Sequence, residues 1–205
     1  NGADRFYTLV KNGFYDGAKF FRIVPNYIVQ FGLPAKADLT GKWLTSYIED
    51  DPFKVSNTLG TLSFAKPDRP NMRATQIFIN YADNASLDER GFTPFAKVVE
   101  GMDVVNQINA EYGEKPNQTS LRGRGNEYLE GEFPRLDGIV KASIIDGAAA
   151  AASTESAEPA PAAEPAVATE TPAPAEQATP PADAPAAAEP APGTDAPAAA
   201  ATPVQ

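Results

Sequence analysis

A mainly β fold, an antiparallel barrel or sandwich capped by two helices, is what this chain of 205 residues predicts. Three observations carry that expectation. Short runs rich in β-branched and aromatic residues recur between turn residues at 19–24, 27–32, 61–65, 76–80, 95–99 and 138–145. Helical spacing of apolar residues shows at 4–11 and 102–110. From Gly147 onward the composition shifts to Ala, Pro, Glu and Thr.

The elements follow in chain order. Phe6, Leu9 and Val10 share one face of a first helix, and Asn12-Gly13 ends it. Residues 19–24 and 27–32 read as two strands joined by a turn at Pro25-Asn26. A long loop carries Trp43, expected as a loop anchor, and the acidic turn Glu49-Asp50-Asp51-Pro52. That turn lacks the alternating oxygen ligands of a cation loop and reads as a capping cluster. Three more strands follow, then a second helix with Val104, Val105 and Ile108 on its apolar face. The stretch Arg122-Gly123-Arg124-Gly125 reads as a loop, and residues 138–145 as a last strand.

Two regions result: a globular domain over 1–146 and a tail over 147–205. Pro every few residues breaks the helix that Ala favours, and little apolar mass is left to offset ordering entropy. The tail is therefore expected to be disordered and semi-extended. It holds eight acidic residues and no base, hence −8 of the net −10. The domain keeps 17 basic and 19 acidic groups and has no basic surplus to attract nucleic acid. No apolar stretch is long enough to span a membrane. The chain has neither His nor Cys. That excludes thiol nucleophiles, Ser-His-Asp chemistry, Cys/His zinc sites and disulfides. No cofactor and no metal are expected.

Arg22 stands alone in the apolar run Phe20-Phe21-Arg22-Ile23-Val24. A cation there is either paired, as burial demands, or placed to meet a ligand. On these residues alone, Tyr27, Ile28, Phe78 and Leu87 read better as plain core than as a pocket. Gln76 would serve as an edge-strand polar residue, and Lys66 as a solvated lysine.

Four blocks in order bear on that choice. They are Phe14-Tyr15-Asp16-Gly17 through Phe20-Phe21-Arg22, Pro25-Asn26 and Gln30; Asn57-Thr58-Leu59-Gly60 through Ala65; Ala74-Thr75-Gln76-Ile77-Phe78-Ile79-Asn80; and Leu87-Asp88 through Phe95 to Val105. Together they resemble the cyclophilin-type peptidyl-prolyl cis-trans isomerases, over residues 3–145. Trp43, Asp50-Asp51-Pro52, Gly125-Asn126-Glu127-Tyr128-Leu129 and Phe133-Pro134-Arg135-Leu136-Asp137 resemble a bacterial subgroup. The resemblance implies a β-barrel capped by two helices. It also implies a missing front end, because the family opens with two paired strands before its first helix.

The resemblance further implies a rotamase acting on X-Pro bonds of unfolded or flexible segments, and so assisting folding. Arg22 would be the catalytic arginine, bonding the twisted prolyl amide, and Gln30 would orient it. Tyr27, Ile28, Phe78, Leu87 and Phe92 would line the proline pocket. Gln76 would add a polar contact, and Ala65 with Lys66 a backbone edge for an extended peptide. Tyr27 stands where Phe is common, Ile28 for Met, Lys66 for Asn, and Ser86 for an aromatic residue. Phe92 lies near a usual His with the spacing off by one. A non-catalytic proline-peptide binding module or chaperone is the alternative. The expected partners are proline-containing polypeptides, with the chain itself a monomer. Tail composition favours the bacterial envelope or an extracellular setting over the cytoplasm.

Overall fold

The computed structural model describes residues 1–145. The expectation of a disordered tail at 147–205 lies outside the described residues. Helix α1 (Gly2–Lys11) buries Leu9 and Val10 and lays Phe6 against Tyr15 and Phe95, with ring centroids 5.6 and 5.4 Å apart. It ends where its sequence says it should. Gly13 sits at φ +65, its N–H reaches Val10 O, and Phe14 N–H reaches Leu9 O. Those two bonds satisfy the last carbonyls, and the positive φ is one that glycine alone adopts freely.

Strands β1 (Arg22–Val24) and β2 (Ile28–Phe31) form the expected hairpin. Tyr27 N–H bonds Val24 O at 3.1 Å across Pro25-Asn26, with Asn26 at φ 58. Pro presets the first corner and Asn accepts the left-handed second one. Strands β3 (Thr61–Phe64), β4 (Ile77–Asn80) and β5 (Pro94–Lys97) complete an antiparallel sheet of order β1-β2-β4-β3-β5. A bulge shifts the β3/β5 register between Leu62 and Ser63.

Side-chain alternation divides this sheet into two faces. Ile23, Val29, Phe31, Leu62, Phe64, Ile77 and Ile79 enter the main core with Leu9, Phe14, Tyr15 and Phe21. The intervening positions Arg22, Ile28, Gln30, Ser63, Phe78 and Asn80 occupy the other face. Register brings Arg22 opposite Gln30, and Gln30 opposite Phe78. The central strands are buried on both faces because α3 (Ser86–Glu89) and Phe92 cover the second one.

The mainly antiparallel architecture is as expected. Helices are more numerous than the two expected. A 3-10 turn at Ala37–Leu39 and the short helices α2 (Thr40–Trp43), α3, α5 (Gln118–Arg124) and α6 (Asn126–Glu132) join α1 and α4 (Met102–Val105). The second expected helix is short, four residues instead of nine. Arg122–Arg124, expected as loop, belongs to α5. Asn117 caps that helix by accepting from Ser120 N–H, and Leu121, Tyr128 and Leu129 bury the helix pair. Trp43, expected as a loop anchor, instead ends α2 and lies edge-on to Phe14 at 6.4 Å.

A strand over 138–145 is not formed. Residues 17–20 and 137–139 exchange backbone bonds around the bridge Lys19–Gly138, and there the pairing stops. Val140, Ile144 and Ile145 stay exposed, so this apolar run lacks the buried face that would hold it in register. The acidic turn is structural: Arg73, 1 % exposed, donates to Asp51 Oδ2 at 2.9 Å and to Glu49 O. Its Nε lies 3.0 Å from Asp50 Oδ1 as an ion pair.

Candidate active site

The second face of the sheet opens into a pocket. Arg22, Gln30, Tyr27, Ile28, Ala65, Lys66, Gln76, Phe78, Leu87 and Phe92, the ten residues singled out from sequence, all line it, and Gln118 joins them. Its apolar wall is a small core of its own. Ile28, Phe78, Leu87 and Phe92 are buried together, with Val24, Tyr27 and Ala65 packed around them. Phe78 and Phe92 meet edge to face at 5.7 Å. A ring-sized apolar guest would be desolvated on several sides here.

The polar wall is a relay across three strand ends. Arg22 Nη1 donates to Gln30 Oε1 at 3.2 Å, and Gln30 Nε2 donates to Gln76 Oε1 at 2.7 Å. Gln76 is held in turn because Tyr15 OH bonds Thr75 O at 3.0 Å and Thr75 Oγ1 bonds Gly32 O at 2.8 Å. Burial pushes the Tyr15 phenol well above its ordinary pKa, so it stays a donor.

Arg22 is both paired and placed in the pocket. Its Nε and Nη2 each lie 2.6 Å from Glu114 Oε1. Glu114 sits on a turn fastened to the edge of β1, where Ile23 N–H bonds Gly113 O at 3.0 Å. Hydrogen bonds take the Nε N–H and one Nη1 N–H, and Nη2 faces Glu114 as an ion pair, which leaves the second Nη1 N–H uncommitted. The Arg22 side chain is 10 % exposed, whereas that of Glu114 is 51 % exposed.

A second network holds the walls. Asp88, on the same helix as Leu87, accepts from Ser56 Oγ, from Asn57 N–H at 2.9 Å and from Asn57 Nδ2 at 2.7 Å. Burial pushes the Asp88 carboxyl up, but these bonds prevail and hold it below its ordinary value. Asn57 Oδ1 accepts from Asn80, whose own Oδ1 accepts from Asn84. Asn84 Nδ2 then donates to Tyr27 O at 2.9 Å. Helix α3 and the Tyr27 corner are thus tied through buried amides.

At the backbone edge, Ala65 N–H is already taken by Gln76 O at 2.9 Å. The Ala65 carbonyl and Lys66 N–H remain for an extended guest. Glu114, Gln118 and the Asn57–Asp88 pair were not anticipated. Only the need of a buried arginine for a counter-charge could have pointed to Glu114, and nothing local would have picked it from the chain's acids. Among the described residues, no cluster of acids could hold a metal ion, and no helix is long and apolar enough to cross a membrane.

A model of the family described as cyclophilin type peptidyl-prolyl cis-trans isomerase/CLD matches residues 1–123, more than half of the chain. A peptidyl-prolyl cis-trans isomerase of Acinetobacter baylyi is 38 % identical over 111 residues, covering 52 % of this chain and 58 % of that protein. Peptidyl-prolyl cis-trans isomerase A of Dickeya dadantii is 35 % identical over 109 residues, 51 % of this chain and 57 % of its own length. Peptidyl-prolyl cis-trans isomerase B of Escherichia coli is 32 % identical over 111 residues, 50 % of this chain and 67 % of its own length. The chain thus spans little more than half the length of the first two curated relatives.

Proposed function

The chain belongs to the cyclophilin-type peptidyl-prolyl cis-trans isomerases, and from that membership we propose that it accelerates rotation about X-Pro bonds in flexible polypeptide segments. The observation that carries this reading is Arg22. Its guanidinium is nearly buried, keeps an uncommitted N–H on Nη1, and borders an apolar pocket.

Amide resonance sets the barrier to X-Pro rotation at ~18–20 kcal/mol. No bond to carbon or nitrogen breaks, so neither nucleophile nor general base is required. In the twisted transition state the prolyl nitrogen becomes pyramidal and gains a lone pair. An N–H of Arg22 offered there bonds the transition state and not the planar ground state. Ile28, Phe78, Leu87 and Phe92 hold the ring, and Gln30 fixes the guanidinium. The exclusion of water removes stabilisation from the more polar planar amide. A barrier lowered by about 7 kcal/mol corresponds to roughly 10⁵-fold acceleration.

Glu114 gives a second reading its one foothold. Its carboxylate offsets part of the Arg22 charge, which suits a module that holds proline peptides without turning them over. One experiment separates the two. Cis-trans exchange in an Ala-Pro peptide is followed by NMR with the parent and with Arg22→Ala. Catalysis predicts turnover that falls about 10²–10³-fold in a folded variant. Peptide binding without exchange in the parent would leave only the binding module.

A further inference from the structure

Two cations converge on one wall of the pocket. Lys66 Nζ lies 5.4 Å and Arg90 Cζ 5.6 Å from the centroid of the Phe92 ring. Phe92 is buried and faces Phe78 inside the pocket, so the charges stand at its lip. Lys66 is held there. Its ammonium donates to Arg69 O at 3.2 Å and passes over Gly91, where a Cβ would lie 3.7 Å from Nζ. Two ammonium N–H groups remain uncommitted.

Among the described residues, no carboxylate makes an ion pair with either cation of this lip. Asp88 is bound by Ser56 and Asn57. The neighbours Asp68 and Glu89 make no ion pair with Lys66 or Arg90. All ion pairs found for the side chains around the pocket go instead to Arg22, which already has Glu114. The pocket is therefore polarised. Its interior arginine is charge-compensated, whereas its Phe92 lip carries two positive charges that no described residue pairs.

Resting on the reading of this pocket as an X-Pro site, we infer that Lys66 and Arg90 select segments with a carboxylate side chain next to the proline. Such a side chain would meet charged donors that no described carboxylate engages. A lysine at the same position would meet like charge.

The test uses the full chain and fluorescently labelled, end-capped peptides. Glu is compared with its isostere Gln one residue before, two residues before and one residue after a single proline. Anisotropy reads binding and NMR exchange reads turnover. At one of these positions Glu should bind roughly three- to tenfold tighter than Gln at low salt, because two partly exposed ion pairs are worth that much. The ratio should shrink at high salt, fall in Arg90→Gln and reach one in Lys66→Gln/Arg90→Gln. Arg90→Glu should favour Lys peptides over Gln ones, and circular dichroism checks that each variant is folded. A ratio of one at all three positions in the parent, or a ratio that survives the double substitution, overturns the inference. Ordinary turnover with a ratio of one sinks the lip alone. No turnover with any peptide sinks the isomerase reading, and anisotropy still decides the lip. No binding to any peptide overturns both.

Discussion

Glu114 Oε1 accepts from Nε of Arg22 at 2.6 Å and lies 2.6 Å from Nη2 as an ion pair, so a carboxylate from a surface turn fixes the guanidinium that Gln30 meets from the sheet. The turn reaches that place because Ile23 N–H, on the outer edge of β1, holds Gly113 O. A long side chain with four rotatable bonds is thus held from two directions before any peptide arrives. Preorganisation of this kind lowers the entropy lost when the transition state forms.

Glu114→Gln tests that role. The amide keeps the shape and one acceptor but loses the charge that strengthens the Nε bond and makes the ion pair with Nη2. We expect kcat to fall about three- to tenfold with KM little changed, since the apolar pocket remains. Steady-state exchange kinetics would show the split. A higher kcat would instead mean that the carboxylate competes with substrate for the Arg22 donors.

Much of this site was legible in the sequence because it lies on alternating strands. Arg22, Ile28, Gln30, Gln76 and Phe78 sit at period two, and the Pro25-Asn26 turn sets the register that puts Arg22 opposite Gln30. Periodicity placed these residues on one face but left them as core or edge; the block resemblance made them a site together with Tyr27, Ala65, Lys66, Leu87 and Phe92. Glu114 and Gln118 were not legible because they come from a turn and a seven-residue helix far along the chain. Gly123 and Gly125 hide the helical period of α5 and α6. Conversely, residues 138–145 read as strand from an apolar pattern whose members Val140, Ile144 and Ile145 stay exposed.

Gly32 is a backbone constraint on the same site. At φ +104, an added Cβ would lie 2.4 Å from Thr75 O and 2.7 Å from Gln76 Cα. Both obstacles are backbone and cannot swing aside. Gly32→Ala should cost about 2–3 kcal/mol from conformational strain and displaced chain. It should also draw Gln76 away from Gln30. Urea unfolding would read the first effect and peptide affinity of the residual folded protein the second. An unchanged midpoint would refute the close approach.

Arg73 carries the stability of the 49–51 turn. Its guanidinium is buried under Asp50, Asp51 and Glu49 O, with the Phe64 ring 5.7 Å away. Removing one partner of a buried pair leaves the other charges uncompensated. Arg73→Met should therefore destabilise the fold by about 3 kcal/mol, a loss visible in thermal melting. Adding Asp50→Asn and Asp51→Asn should restore part of it. A double-mutant cycle without coupling would show that the cluster contributes packing alone.

Asp88 gives the pocket an acid limit. Burial raises its carboxyl pKa, but the bonds from Ser56 and Asn57 outweigh that and hold it below the ordinary value of 3.8. A carboxyl depressed in the folded state stabilises at pH values above its unfolded pKa. That contribution is lost as pH falls through the folded value. Protonation would turn one acceptor oxygen into a donor facing Asn57 and free α3, which carries Leu87 into the pocket. Proline-peptide affinity should accordingly hold from neutral pH down to about pH 4 and weaken below it. Asp88→Asn, which sets an amide donor against the donors of Asn57, should be weaker at pH 7 and flatter at acid pH. Fluorescence polarisation from pH 7 to pH 3 reads both, and parallel curves for parent and variant would rule Asp88 out as the titrating group.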